Sequence, residues 1–262
     1  MNADIPRLTD EQVDQFRQQG YLQLDRLVQD EEIAWVRTIY DRLFAERVGW
    51  NRGDQFDLAG SDDPKVRPRL PQLMNPAVHA PELEKATFRL TAYQLARQLL
   101  GDQAERGDEH AIYKPAEQGA ETPWHQDEAY WDPAFSYEAL SIWTPLQEAT
   151  LENGCMQFIP GSHRGGVLPH HSIGHDVRVH GLETDQVDRR LAVAFPLAAG
   201  GCTIHHCRTL HYAGPNRSGQ PRRAYILTFR NPPVRRDVPG DFPWLSARQT
   251  AREIRSREED RR

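Results

Sequence analysis

His125 and Asp127 stand two positions apart in the stretch TPWHQDEAYWD, which covers residues 122–132. Side chains on alternate residues of an extended chain point to the same side, so this imidazole and this carboxylate could reach one ion. A polar surface turn would explain the same pattern, and in a chain with eleven histidines a His-x-Asp pair is a weak signal by itself. The metal interpretation therefore requires a third ligand elsewhere in the sequence.

His211 is the candidate for that third ligand, because it precedes the turn-rich run AGPN and a strand that begins near Arg222. Two imidazoles and one carboxylate form the facial triad of non-haem Fe(II) sites, which leaves coordination positions open. These ligands also leave Fe(II) with a net positive charge, which suits an anionic, chelating co-substrate. Zinc accepts the same ligand types, so a metal-dependent hydrolase is an alternative.

Arg222 offers a partner for such a co-substrate. In the segment RRAYILTF it shares the more polar strand face with Ala224, Ile226 and Thr228. A guanidinium forms a bidentate pair with a carboxylate, so Arg222 could hold the distal carboxylate of a five-carbon diacid that chelates iron. The alternative is a surface arginine beside Arg223. A hydrolase needs no such anchor.

The composition favours a folded protein with small-molecule chemistry. The chain has 262 residues, of which 38% are hydrophobic and 27% charged, and a net charge of −6 gives no electrostatic reason to bind nucleic acid or an anionic membrane. No apolar run approaches the roughly 20 residues of a membrane span, and the first residues lack the order of a signal peptide. Three cysteines without framework spacing indicate reduced thiols and a cytoplasmic protein.

The first part of the chain, about residues 8–100, is predicted to be helical. Thr9 and Gln12 have capping-box spacing, Asp30 is a plausible N-cap for a second helix, and a third helix is predicted from about Pro81 to Leu100. After Gly101, short apolar segments separated by glycine, proline and asparagine are typical of an antiparallel β-sandwich or barrel, with its core at about 105–232.

Two segments outside these elements are polar. The stretch from Gly161 to Asp188 contains five histidines and is too long for an ordinary connection, which favours a functional loop or lid that could also bind metal. The tail, about 247–262, is charged and is predicted to be a solvated helix or a frayed end. The simplest organisation is one domain over residues 1–262.

Four segments resemble the phytanoyl-CoA dioxygenase (PhyH) family of Fe(II)- and 2-oxoglutarate-dependent oxygenases: WHQD (124–127), ENGCMQFIPGSH (152–163), LHYAGPNRSGQPRRA (210–224) and the opening LTDEQVDQFRQQGYLQLDRLV (8–28). The resemblance covers about residues 8–232. It implies an α+β protein, mostly β with α decoration, whose double-stranded β-helix (a jelly-roll, cupin-like core) carries the N-terminal helices on one sheet.

The resemblance also implies site residues. His125, Asp127 and His211 match the family's iron ligands, and Arg222 matches the arginine that pairs with 2-oxoglutarate. Residues of the co-substrate pocket are matched by Trp143, Ser141 and His110. The chain departs from several relatives at Ala213, where they have a serine, so one hydrogen bond to the co-substrate is absent or comes from another group. His205 and His206 are interpreted as structural, since strand alternation lets at most one of them face the iron.

The activity implied by the resemblance is hydroxylation with Fe(II), 2-oxoglutarate and O2, releasing succinate and CO2. Related halogenases have a small residue where this chain has Asp127, which favours hydroxylation over chlorination. A cupin-like metal-binding or sensor protein without turnover is the other alternative. The lid candidates are Trp50 to Pro64, Tyr130 to Tyr137 and Gly161 to Asp188. Their aromatic and basic residues, among them Arg164 and Arg178, suit a small or medium-sized polar substrate with an anionic group. The sequence does not indicate an oligomeric state.

Overall fold

The helices of the protein come from both ends of the chain. The computed structural model describes residues 6–117 and 119–259, so the outermost parts of the predicted domain and charged tail, 1–5 and 260–262, lie outside the described residues. None of the described helices combines the length and apolar character needed to cross a lipid bilayer. The helices are α1 (Asp10–Gln19), α2 (Asp30–Ala45), α3 (Pro76–His79), α4 (Thr87–Leu100), α5 (Pro243–Ala247) and α6 (Ala251–Glu259).

The strands are short and pair in the antiparallel sense. In chain order they are β1 (Tyr21–Leu24), β2 (Gln55–Asp57), β3 (Pro71–Met74), β4 (Glu105–Lys114), β5 (Thr122–His125), β6 (Phe135–Ser136), β7 (Ala139–Pro145), β8 (Met156–Phe158), β9 (His171–Ser172), β10 (Leu182–Glu183), β11 (Val193–Phe195), β12 (Cys202–His206), β13 (His211–Ala213), β14 (Arg222–Arg230) and β15 (Val234–Arg235).

Two of the sheets form a sandwich. A seven-stranded sheet has the order β1-β12-β7-β14-β4-β3-β2, and a four-stranded sheet has the order β11-β8-β13-β5. Apolar side chains join the two sheets: the Tyr21 ring of the large sheet stacks on the Phe158 ring of the small one, with centroids 5.0 Å apart. The space between the sheets is therefore the interior in which a site can form.

The N-terminal helices cover the outer face of the large sheet. Tyr225, Leu227 and Phe229 of β14 pack in one cluster with buried residues of α2 and α4, whereas Ala224 and Ile226 pack between the sheets. This is the alternation that the sequence predicts, because consecutive side chains of a strand lie on opposite faces. The predicted α+β class, with helices on one sheet, is confirmed.

The helix predictions are correct in kind and imprecise at their ends. The capping box is confirmed, since Gln12 N donates to Thr9 Oγ1 at 3.2 Å and Thr9 N donates to Gln12 Oε1 at 2.9 Å. Asp30 is the first residue of α2, whose N-cap is Gln29. The predicted third helix is divided into a 3-10 turn, Pro81–Lys85, and α4, because the backbone of Ala86 is extended.

Two interpretations of the sequence are wrong. The segment predicted to be helical also supplies β1, β2 and β3, which are only three or four residues long and therefore too short for alternation to reveal. The charged tail is not a solvated end, because α6 packs against the turn Trp50–Arg52 and against β2. Arg255 Nε donates to Trp50 O at 2.8 Å, and its Nη2 pairs with the buried carboxylate of Asp62.

We expect the junction between α1 and β1 to depend on Gly20. Its φ of +81° is left-handed, and an added Cβ would lie 2.3 Å from His163 Nδ1 and 2.6 Å from Thr209 Oγ1. Gly20→Ala should lower the free energy of unfolding by about 2–4 kcal/mol, since backbone strain and overpacking add. Urea denaturation measures the change.

Gly174 is the matched control, because its φ of +64° is also left-handed but no described atom lies within 4 Å of the added Cβ. Gly174→Ala should cost only the backbone term, about 1 kcal/mol. Equal losses for the two variants would contradict the steric argument.

Candidate functional site

His125 and His211 lie opposite each other on paired strands. The register of β5 and β13 makes them direct cross-strand partners, and their ring centroids are 4.1 Å apart. Each Nδ1–H donates to the carbonyl two residues earlier, Pro123 O at 2.7 Å for His125 and Thr209 O at 2.8 Å for His211. These bonds leave each Nε2 unprotonated in the neutral ring, with its lone pair free for a metal.

Asp127 is the third candidate metal ligand, and together with His125 and His211 it forms what is called the metal group below. Its Oδ1 lies 3.4 Å from His211 Nε2 and 3.9 Å from His125 Nε2. The ligand atoms of the three residues all lie within 4.8 Å of one another, close enough to share one ion. The structure therefore brings together the three predicted metal ligands.

Gln126 explains why the two ligands are separated by one residue. Its backbone is extended, with φ −123° and ψ 135°, so its side chain points away from the side that His125 and Asp127 share. Gln126 Nε2 donates to Arg208 O at 2.7 Å, and Oε1 accepts from Leu168 N at 2.8 Å. The intervening residue thus fixes the ligand pair to two neighbouring loops.

The second oxygen of Asp127 is held by the large sheet. Ser141 Oγ donates to Oδ2 at 2.7 Å, and His205 Nε2 lies 3.3 Å from the same oxygen. This arrangement leaves Oδ1 directed at the imidazoles. Ser141, predicted to lie in the co-substrate pocket, lines the cavity beside the metal group and contacts its carboxylate.

His205 was underrated by the sequence interpretation. It is buried, it lines the cavity, and neither ring nitrogen has a hydrogen-bond partner within the described part of the chain. His206 points the other way and accepts from Arg208 N at 3.1 Å. The predicted alternation is confirmed, but the purely structural role predicted for His205 is corrected.

Burial and neighbouring charges give the ligands the protonation states that a metal requires. Burial, followed by the nearby His211, holds the pKa of His125 well below its usual value. Burial alone would raise the pKa of Asp127, but His211 and His205 outweigh it and hold that pKa well below the usual range. At neutral pH the neutral His125 imidazole and the Asp127 carboxylate are ready to bind a divalent cation.

Arg222 is a buried, unpaired cation in the same cavity. Its exposure is 1%, and neither Nε nor Nη1 has an acceptor among residues 6–117 and 119–259. Burial lowers its pKa to about 10, so it is still charged at neutral pH. The alternative of a surface arginine is wrong for Arg222. Its neighbour Arg223, on the opposite strand face, is half-buried and contacts the Asp41 carboxylate through Nε and Nη2 at 2.5 and 3.0 Å.

Lys114 is the cross-strand partner of Arg222 and shows what a satisfied buried cation looks like. Its Nζ donates to the carbonyls of Ala120, Ala213 and Gly214 at 2.9, 2.9 and 2.6 Å. Burial and then Arg222 hold the pKa of Lys114 well below its usual value. Lys114 therefore has its acceptors within the chain, whereas Arg222 does not.

The other predicted pocket residues line the same cavity. The Trp143 ring centroid lies 5.5 Å from Arg222 Cζ, on the strand next to it. Gln72 Nε2 donates to His110 Nδ1 at 3.0 Å, which places the ring proton of neutral His110 on Nε2. Ala213 contributes only a methyl group here.

The cavity has a volume of about 460 Å³, within the range of small-molecule pockets. Its wall includes Tyr130, Trp131, Tyr137 and His180, which lie in segments that the sequence analysis gave as lid candidates, and Arg248 and Arg252, which it did not select. The two arginines come from the tail predicted to be solvated. The local sequence does not identify these two arginines, because a charged helix has the same residue pattern whether it is solvated or packs on the protein through its arginines.

The histidines between Gly161 and Asp188 do not converge on the cavity; only His180 lines it. His170 Nε2 accepts from Gln126 N at 3.2 Å, and so holds the segment to β5. His171, His175 and Asp185 bring ligand atoms within 4.8 Å of one another at the surface. The two rings of that group stack face to face at 3.7 Å, and His171 Nε2 contacts Asp185 at 3.1 Å. A lid function for the segment stays a prediction.

These features define a class of protein. Two imidazoles and one carboxylate on one side of a cavity suit non-haem Fe(II), and a buried guanidinium without a carboxylate partner in that cavity suits the free carboxylate of an iron-chelating keto acid. Within a sandwich of antiparallel sheets, this combination is that of an Fe(II)- and 2-oxoglutarate-dependent oxygenase.

The comparisons lead to the family. Residues 16–224 match the model of the family described as phytanoyl-CoA dioxygenase (PhyH), and the chain belongs to that family. A probable alpha-ketoglutarate-dependent hypophosphite dioxygenase of Stutzerimonas stutzeri is 26% identical over 226 residues, which is 84% of this chain and 77% of that protein. The protein is accordingly a dioxygenase that uses Fe(II), 2-oxoglutarate and O2.

Solved structures agree with the fold. EvdO2 from Micromonospora carbonacea var. aurantiaca, crystallised with 2-oxoglutarate, superposes with a TM-score of 0.79 at 40% identity, covering 92% of this chain and 98% of that one. EctD from S. alaskensis with bound Fe, at 22% identity and a TM-score of 0.69, covers 87% of this chain and 79% of its own and supports the fold alone. The predicted jelly-roll core is confirmed.

We expect Ser141 to hold Asp127 for metal binding. Ser141→Ala removes the 2.7 Å hydrogen bond to Oδ2 and should weaken Fe(II) binding about tenfold, because groups that orient metal ligands contribute to affinity. Anaerobic Fe(II) titration measures the change. Ser246→Ala is the control, since that exposed hydroxyl donates only to Pro243 O of α5. Unchanged affinity in Ser141→Ala would contradict the positioning role.

Proposed function

We propose that His125, Asp127 and His211 hold Fe(II) and that Arg222 binds the distal carboxylate of 2-oxoglutarate. The reaction is hydroxylation of a small or medium-sized organic substrate, with release of succinate and CO2. The metal roles are supported by the convergence of the three ligand atoms and by the two Nδ1–H bonds that free both Nε2 atoms.

The observation that carries the proposal is the unpaired guanidinium of Arg222. A charge that is 1% exposed and lacks partners is destabilising by several kcal/mol unless something pairs with it. A carboxylate of the co-substrate is the matching partner, since it accepts two parallel N–H bonds from a guanidinium. A hydrolase would have no use for this group, so the metal-dependent hydrolase is disfavoured.

Iron and 2-oxoglutarate, when bound, supply O2-dependent oxidation coupled to decarboxylation of the keto acid. The residues of the chain orient the metal ligands and keep water away from the bound co-substrate. Ser141 and His205 hold Asp127 Oδ2 so that Oδ1 faces the ion, and Trp143 covers Arg222 and excludes water from its ion pair. His110 presents its Nε2–H to the cavity as a donor to the bound co-substrate, whereas the methyl group of Ala213 offers no hydrogen bond.

Hydroxylation is favoured over halogenation because Asp127 occupies the third ligand position with a carboxylate. A halide needs that position empty, and here Oδ1 lies 3.4 Å from His211 Nε2. A sensor without turnover would use the same ligands, and substrate-independent release of succinate under O2 distinguishes an enzyme from it.

The organisation and location of the enzyme follow from the same features. We propose a single domain, since residues of both sheets and of α6 line one cavity. We also propose a cytoplasmic protein, because Cys155, Cys202 and Cys207, all within the described residues, are buried free thiols.

Arg222→Gln should weaken 2-oxoglutarate binding about 100-fold, because it removes one partner of a buried charge pair. Anaerobic titration of the Fe(II) protein with 2-oxoglutarate, followed by the visible metal-to-ligand charge-transfer band, gives the dissociation constant. Without co-substrate the variant should melt at a higher temperature than wild type, since it removes a buried charge that has no partner there.

Arg223→Gln is the matched control, since it changes the next residue on the opposite strand face and removes contacts with Asp41, Pro221 O and the Tyr113 ring, none of which lines the cavity. It should keep the wild-type affinity for 2-oxoglutarate. If Arg222→Gln also binds 2-oxoglutarate as tightly as wild type, Arg222 is not the anchor.

A further inference from the structure

The cavity ends on the C-terminal side at Arg248, in the short connection between α5 and α6. Its position is fixed by the docking of α6. Arg252 Nε donates to Gly53 O at 2.8 Å, and its guanidinium carbon lies 4.5 Å from the Phe56 ring centroid. The wall that carries Arg248 is therefore anchored to the rest of the protein.

Arg248 is a further cation of the cavity whose guanidinium is incompletely satisfied. Only 11% of its side-chain surface is exposed, and Nε and Nη1 have no hydrogen-bond partner in the portion of the chain that the structure describes. The carboxylate that approaches it is Glu253, whose Oε1 lies 3.8 Å from Nη2, beyond hydrogen-bond distance. Asp108 and Asp132 also line the cavity, and neither forms an ion pair with Arg248.

Outside the cavity, arginines of the neighbouring segment have partners. Arg178 contacts Asp176 through Nε and Nη2 at 2.9 and 2.6 Å, and Arg164 Nη2 donates to Gln18 O at 2.7 Å. Neither lines the cavity. The sequence-based argument for an anionic substrate therefore rested on the wrong arginines, while an arginine that it did not consider lies at the site.

Positive charge accumulates around Arg248. Burial and then Arg248 lower the pKa of Arg252, and burial, Arg252 and Arg248 together hold the pKa of His180 well below its usual value. His180 is consequently neutral at neutral pH and accepts from Arg252 Nη1 at 3.1 Å. Glu253, Asp54 and Asp108 act on Arg252 with the opposite sign, whereas Glu253 is the carboxylate within 4 Å of the Arg248 guanidinium.

This charge is separate from the co-substrate anchor. Arg222 has Lys114, Tyr40 and Cys155 as its electrostatic neighbours, whereas Arg248 interacts with Tyr130, His180 and Arg252. A 2-oxoglutarate that chelates a metal through its keto acid end has one free carboxylate, and Arg222 takes it. The guanidinium of Arg248 needs a different oxyanion.

We propose that Arg248 is a substrate-binding residue and that the organic substrate carries an oxyanion, a carboxylate or a phosphate, which pairs with its guanidinium. The inference rests on the proposed function, which makes this cavity the place of oxidation. The oxyanion fixes the substrate from the C-terminal wall and leaves its oxidised carbon to face the metal group.

The test uses small anions as probes. Calorimetric titration of the Fe(II) protein, saturated with 2-oxoglutarate under anaerobic conditions, with inorganic phosphate and separately with acetate should detect one Arg248-dependent site. Saturation with 2-oxoglutarate keeps Arg222 occupied. Arg248→Gln should weaken that binding about tenfold or more, and Arg248→Lys should weaken it less, since the charge is kept without the fork. Preference for phosphate or for acetate identifies the kind of oxyanion.

Arg257→Gln is the matched control, an exposed arginine on the adjoining helix α6, and should bind the anion as wild type does. Anion binding that is equal in wild type and Arg248→Gln, or no anion binding in wild type, would overturn the proposal. The charge-transfer band in the same samples keeps the two hypotheses apart. Arg248→Gln retains the band if only substrate recognition is lost, whereas a wild-type protein without the band contradicts the proposed function, and the anion titration is then interpreted without 2-oxoglutarate.

Discussion

The antiparallel pairing of β5 with β13 is the constraint on which the site depends. It places His125 directly opposite His211, and the carbonyls two residues before each of them fix both imidazoles in the same tautomer. A shift of one residue in either strand would turn one imidazole to the other face of the sheet. The metal group therefore exists only in one register, and Gln126, tied to the loops around it, helps to hold that register.

Buried cations distinguish structural from functional positions in this protein. Lys114 and Arg222 are cross-strand partners in the same interior, yet Lys114 meets three backbone carbonyls and Arg222 leaves two nitrogens without acceptors. The hydrogen bonds of Lys114 connect β4 to the end of β13. The unsatisfied guanidinium of Arg222 lowers the stability of the protein, and binding of the proposed carboxylate would offset that loss.

The C-terminal segment makes the cavity a product of the whole chain. The sandwich provides the metal group and the co-substrate end, whereas the opposite wall comes from a helix that docks through arginines on the turn Trp50–Arg52 and on β2. The family match ends at residue 224, before this helix begins. The part of the cavity that Arg248 and Arg252 line thus comes from outside the region that matches the family.

The sequence alone determined the parts of the protein that depend on local periodicity or on short motifs. Alternation in β14 separated the face under the helices from the face toward the interior, and the spacing of His125 and Asp127 marked two ligands of one ion. Tertiary structure decided what depends on contacts between distant segments. Whether Arg222 is buried, which of His205 and His206 meets Asp127, and whether the charged tail is solvated are set by packing across the sandwich. A side chain's neighbours from remote parts of the chain leave no periodic trace in the sequence around it, and for that reason Arg248 could be recognised only in the folded protein.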